Sequence, residues 1–96
     1  MPHYFLKLNP PRSTFAQDMT NEERAIMMQH VAYWGDLMNK GVVVVFGPVS
    51  DPAGVYGIGV VEVQDEEQLK ELTKNDPAAS INIYEYYPMR AVIPAK

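Results

Sequence analysis

Gly41-Val42-Val43-Val44-Val45-Phe46-Gly47-Pro48-Val49-Ser50-Asp51-Pro52-Ala53-Gly54-Val55-Tyr56-Gly57-Ile58-Gly59-Val60-Val61-Glu62-Val63 is the stretch that decides the fold. Val42 to Phe46 is too short and too β-branched for a helix and predicts a buried central strand. Gly47-Pro48 is expected to end it. Ser50 to Gly54 is turn chemistry, with proline fixing φ and glycine free to take positive φ. Gly57 to Val63 is then the returning strand of a hairpin. Its glycines point to a bend or to the close approach of another group.

On the N-terminal side, Thr20-Asn21-Glu22-Glu23 is a capping box, which opens a helix. The helix should reach Asn39 or Lys40, where Gly41 can take the left-handed conformation. At about 100° per residue, Met27, Val31, Trp34 and Met38 share an apolar face opposite Glu22, Gln29, Asp36 and Lys40. Arg12 to Met19 reads as a loop longer than its connection needs, and such loops often carry function. His3 to Leu8 reads as a first strand closed by Asn9-Pro10-Pro11.

On the C-terminal side, Asp65 as N-cap and Gln68 three residues later start a short helix with Leu69 and Leu72 inward. It stops near Asn75-Asp76-Pro77. Ile81 to Tyr87 alternates as a final strand, closed by Pro88. The order β-α-β-β-α-β is the split βαβ, ferredoxin-like arrangement: an α+β fold whose antiparallel sheet carries both helices on one face. The other face, with Tyr84 and Tyr86 or their alternates, leaves apolar area that a second copy would cover. A homodimer is expected, and further assembly stays open.

Ninety-six residues make one domain, taken as 1–96, and 47% hydrophobic with 21% charged residues is ordinary globular composition. The net charge is −4, and the lysines and arginines are scattered without a basic run. Nucleic acid and anionic membrane surfaces are therefore disfavoured as partners. No cysteine is present, which removes disulfides and thiolate chemistry and favours a reducing interior. With no long apolar segment at the start, a cytoplasmic protein is expected.

One pair of residues can carry chemistry. His30 lies at the shoulder of the first helix's apolar face, and an imidazole there can serve as general acid or base. Its plainer role is a histidine satisfied by one hydrogen bond at the edge of the core. Asp76, before Pro77, either caps a turn or hydrogen-bonds an imidazole N–H and fixes its tautomer. Arg12 could clamp an anion, although an arginine in a surface loop is more often simply solvated. Trp34 and the tyrosines could line an apolar pocket, with Phe15 as further wall, although a tryptophan at that helix position is more often core. Phosphate loops, nucleophile elbows and dinucleotide fingerprints are lacking. No cofactor or metal is expected, and the ligand class is a small molecule.

Taken together, His30, Tyr33-Trp34, Gly41, Gly47-Pro48-Val49, Asp51-Pro52, Gly54, Gly57 and Asp76-Pro77 resemble the YCII-related (YciI-like) family over Phe5 to Pro88. The resemblance implies a dimeric α+β barrel of ferredoxin-like subunits. It also implies an active site with a histidine and an aspartate, matching His30 and Asp76. The rare member with an assigned reaction resembles a dehydrochlorinase of a chlorinated hydroxyquinol. Nothing in this sequence marks a chloroaromatic ligand, so that substrate is not carried over. The expectation is a small cofactor-independent enzyme of lyase or isomerase type, with His30 moving a proton, Asp76 orienting it, Phe15 and Trp34 as pocket wall and Arg12 as anion anchor. The alternative is a non-catalytic dimeric module that binds a small ligand. A haem or quinone-forming monooxygenase would need a larger cavity than this short chain can enclose.

Overall fold

The computed structural model describes residues 1–95. Along the chain come β1 (His3–Asn9), α1 (Phe15–Asp18), α2 (Asn21–Asn39), β2 (Val43–Val49), β3 (Tyr56–Glu62), α3 (Glu66–Lys74), a 3₁₀ turn (Pro77–Ser80) and β4 (Ile83–Met89). The strands make one antiparallel sheet in the order β2-β3-β1-β4. With α2 between β1 and β2 and α3 between β3 and β4, this is the ferredoxin-like α+β fold. Among the described residues no helix is long and apolar enough to cross a membrane.

Both helices cover one face of the sheet. Leu6, Val43, Val61 and Val63 form a single buried cluster with Trp34 of α2 and Leu69 and Leu72 of α3. Side chains alternate along a strand, so the neighbours of these residues face away from the helices. Register lines up Val45, Val60, Phe5 and Tyr87 across that open face. Val45 is 48% and Tyr87 54% exposed.

The helix ends follow their local signals. Thr20 accepts the Glu23 N–H at 3.1 Å while Glu23 accepts the Thr20 N–H at 2.9 Å, which completes the capping box. Gly41 has φ +82°, and the amides of Gly41 and Val42 return to the carbonyls of Met38 and Leu37, a Schellman closure. Asp65 accepts from Gln68 N–H at 2.9 Å. The Gln68 amide oxygen takes the Gln64 N–H, one residue before the cap.

Several local expectations change. β2 is an edge strand rather than a central one, and Val44 is 39% exposed beside an irregularity in register between Val43 and Val45. Gly47 and Pro48 lie within it; a proline lacks the ladder donor and is tolerated at an edge. Pro88 likewise sits inside β4, the other edge, and β4 begins after a 3₁₀ turn. The segment before α2 contains α1, which at four residues is too short for periodicity to reveal. Tyr84 and Tyr86 pack beside the helix-side core, so their alternates Ile83, Glu85 and Tyr87 hold the open face.

The buried side of α2 is also rotated from the hydropathy reading. Glu23, Ile26, Met27, His30, Tyr33, Trp34 and Leu37 are covered to some degree, while Val31 and Met38 are exposed. His30 therefore stands at the middle of the covered face and not at its shoulder.

Candidate active site

The two ends of the site are set by separate local rules. His30 and Trp34 are one helical turn apart on α2, so their rings project side by side, with centroids 5.9 Å apart. Asp76 follows the end of α3 in an extended conformation, and Pro77 begins the 3₁₀ turn. There the Asp76 Oδ1 accepts the Ala78 N–H at 2.8 Å, a local turn that points the carboxylate back at α2.

His30 Nδ1 lies 2.8 Å from Asp76 Oδ2 and 3.1 Å from Oδ1. Trp34 Nε1–H donates to Oδ2 at 2.7 Å, and the Tyr84 hydroxyl donates to the same oxygen. The Asp76 side chain is 0% exposed. Burial pushes its carboxyl up, but hydrogen bonds from His30, Tyr84 and the Ala78 amide outweigh it and hold the group below its ordinary value. The Tyr84 hydroxyl is driven well above the usual tyrosine range, first by burial and then by the Asp76 anion. Tyr33 is also raised, by burial and by Asp76.

A cavity of about 210 Å³ adjoins this network. His30, Trp34 and Tyr84 form one wall, with Phe15, Leu8 and Phe46 among the apolar side chains around it. Trp34 lies against β3 at Gly59, where an added Cβ would come within 2.7 Å of the indole Cη2. The close approach expected of that strand's glycines is thus an indole ring. Asn82 is buried in the lining and donates to the Ala78 carbonyl at 3.1 Å.

His30, Trp34 and Phe15 line one cavity, and Asp76 stands outside its lining, bonded to His30 and Trp34. Arg12 stands outside the cavity lining. Its Nε donates to Asp18 at 2.8 Å, and its terminal nitrogens donate to the two Glu23 oxygens at 2.9 and 2.8 Å. The Arg12 hydrogen bonds, followed by the Thr20 amide, lower Glu23 to about 2. This network ties α1 to the start of α2 and so holds Phe15, 5% exposed, over the cavity. Asp51 accepts the Ala53 N–H and stays a turn residue. The sequence predicts the tyrosines only as pocket lining, where Tyr84 and Tyr56 do stand; the bond of Tyr84 to Asp76 and the place of Asn82 are not foreseen in it. Alternation puts Tyr84 and Asn82 on one face of the last strand, but the polar character of that face hides that it is the covered one.

A histidine at the wall of an apolar cavity, backed by a buried carboxylate on a ferredoxin-like scaffold, places the chain among small α+β proteins. The chain belongs to the YCII-related domain family, whose model matches residues 3–93. Among solved structures it is similar to 5-chloro-2-hydroxyhydroquinone dehydrochlorinase (TftG) from Burkholderia phenoliruptrix AC1100 in complex with 2,5-dihydroxybenzoquinone. The TM-score is 0.57 at 19% identity, covering 85% of this chain and 90% of that chain. At this identity the likeness speaks for the fold. No curated protein matches the chain.

Proposed function

We propose that this protein is a small enzyme in which His30, oriented by Asp76, transfers a proton on a small aromatic or carbonyl-bearing molecule held in the apolar cavity. The contact between His30 Nδ1 and Asp76 at the cavity wall carries this reading. An imidazole with one nitrogen engaged by a carboxylate has its other nitrogen left for proton transfer. Lyase or isomerase chemistry suits a lining that has, among the described residues, no cysteine, serine or lysine to act as a nucleophile. The similar dehydrochlorinase, named for a hydroxylated ring substrate, supports a small-ring ligand at a coarse level. A cytoplasmic setting suits the cysteine-free sequence.

The test is a screen of small aromatic and carbonyl compounds for turnover, followed by His30→Gln. Loss of about 100-fold or more in kcat with the fold intact is expected. Full activity in His30→Gln would overturn the mechanism. The mostly apolar lining also suits a binding module, which would bind a compound and return it unchanged after long incubation.

The open sheet face suits a homodimer stacked sheet to sheet, because Val45, Val60, Phe5 and Tyr87 line up as an apolar row. Tyr87→Glu would place a charge in that row. Sedimentation should then show a dimer for the parent chain and a monomer for the variant.

A further inference from the structure

Asp76 is ringed by donors. Its Oδ2 takes the Trp34 N–H at 2.7 Å, the His30 ring at 2.8 Å and the Tyr84 hydroxyl, and its Oδ1 takes the Ala78 amide at 2.8 Å. The indole and the amide have only hydrogens to offer. The Tyr84 oxygen itself lies 3.2 Å from Trp34 Nε1, so it already faces a donor. A proton on the carboxyl group would find no acceptor at the indole or the amide, which leaves only a lone pair on His30 Nδ1 or on the Tyr84 oxygen to take it. The indole N–H, the amide N–H and the Tyr84 O–H together favour Asp76 as an anion, and beside an anion the nitrogen facing it, His30 Nδ1, carries the hydrogen.

The alternative arrangement is real chemistry and not a formality. A buried carboxyl beside an imidazole, with no further donors, is favoured in its neutral form. It would then donate to an Nδ1 lone pair, and the hydrogen of the neutral ring would move to Nε2. The site would present a donor to its ligand where it now presents an acceptor. Something must choose between these states, and among the described residues only Trp34 and Tyr84 add further side-chain donors to the oxygen shared with His30.

We infer that Trp34 and Tyr84 are positioning residues: their N–H and O–H hold Asp76 as an acceptor, fix the hydrogen on His30 Nδ1, and leave Nε2 as the proton-accepting atom of the site. Plain packing would place these rings in the core without requiring the indole nitrogen and the phenol oxygen to converge on one carboxylate oxygen. The rings do stack, with centroids 6.5 Å apart and an interplanar angle of 20°, and still direct both donors at Oδ2. Gly59 belongs to the same arrangement, since only a residue without Cβ lets the indole lie where its N–H reaches Asp76. The catalytic consequence rests on the proton-transfer reading of His30, while the tautomer is a property of the unliganded protein.

The experiment uses the full chain labelled with ¹⁵N and ¹³C, without any ligand. In the parent protein the neutral His30 ring should show a pyrrole-type Nδ1 and a pyridine-type Nε2. Tyr84→Phe keeps the ring and removes the hydroxyl. It should move the Asp76 carboxyl titration to higher pH and give His30 a measurable fraction of the Nε2–H form. Trp34→Phe, a second and independent variant, should shift both signals in the same direction. A parent protein with Nε2–H, or two folded variants with parental Asp76 titration and His30 ¹⁵N shifts, would overturn the inference. If the shifts occur but His30→Gln retains turnover, the positioning role stands and the proton-transfer reading falls.

Discussion

The chain has two histidines, and each stands beside a carboxylate, one pair on either face of the sheet. His30 and Asp76 meet at 2.8 Å on the helix side, where the carboxylate also takes an indole N–H, a phenol O–H and a backbone amide. His3 and Glu62 face each other at 3.3 Å on the open side. There the buried Nε2 of His3 has no aligned hydrogen-bond partner among the described residues. Register alone explains the second pair, because β1 and β3 place His3 opposite Glu62. The first pair needs a helix, a turn and two strands to converge. Pairing of types is cheap for a fold to produce; a saturated acceptor is not.

The sharpest way to break the comparison is to remove each carboxylate in turn. Asp76→Ala leaves the Ala78 N–H and the Tyr84 hydroxyl without their acceptor and the Trp34 N–H with only the Tyr84 oxygen at 3.2 Å. Loss of a buried charged partner of this kind costs about 3–5 kcal/mol, which urea unfolding would measure. An Asp76→Ala protein as stable as the parent would show that the network adds nothing to the fold.

Gly59→Ala tests the same network one step away. The new methyl group would meet the Trp34 ring and displace the indole from Asp76. Overpacking of this order costs about 1–3 kcal/mol. Near-ultraviolet circular dichroism should report the moved indole, and an unchanged indole signal would mean that the strand yields instead. No glycine supports the His3 pair in this way, and the contrast between the faces would sharpen.

Acid tests the helix-side carboxylate. Folded Asp76 is held below its ordinary carboxyl value, so the unfolded chain binds this proton at a higher pH than the folded chain does. The stability it contributes is complete above the unfolded value of about 4 and is lost as pH falls through the folded one. Tyr84→Phe should bring that loss to higher pH, read from urea midpoints across the acid range. An acid limb identical in the parent and Tyr84→Phe would detach the tyrosine from the carboxylate.

The sequence made the scaffold legible wherever a local rule acts alone. The Thr20 capping box, Gly41 at the end of α2 and the hairpin of β2 and β3 follow from a few adjacent residues. His30 and Asp76 were visible as residue types in suggestive places. Their partners were not, because Tyr84 reaches Asp76 only once β4 pairs with β1, and that register is a property of the assembled sheet. Hydropathy also misled on α2: Val31 and Met38 are apolar yet exposed, while the polar His30 lies at the centre of the covered face. A buried polar network inverts the pattern from which burial is inferred. Arg12 looked like an anion clamp for the related reason that its two carboxylate partners, Asp18 and Glu23, are brought to it by the fold of α1 against α2.

The smallest effect belongs to the open face. Glu62→Gln removes the charge opposite His3 but leaves an amide oxygen in its place and strands no other donor of the kind that crowds Asp76. Attraction across such a pair is largely offset by the cost of desolvating it. The change in unfolding free energy should stay within about 0.5 kcal/mol. A loss comparable to that of Asp76→Ala would place His3 and Glu62 in a network of their own.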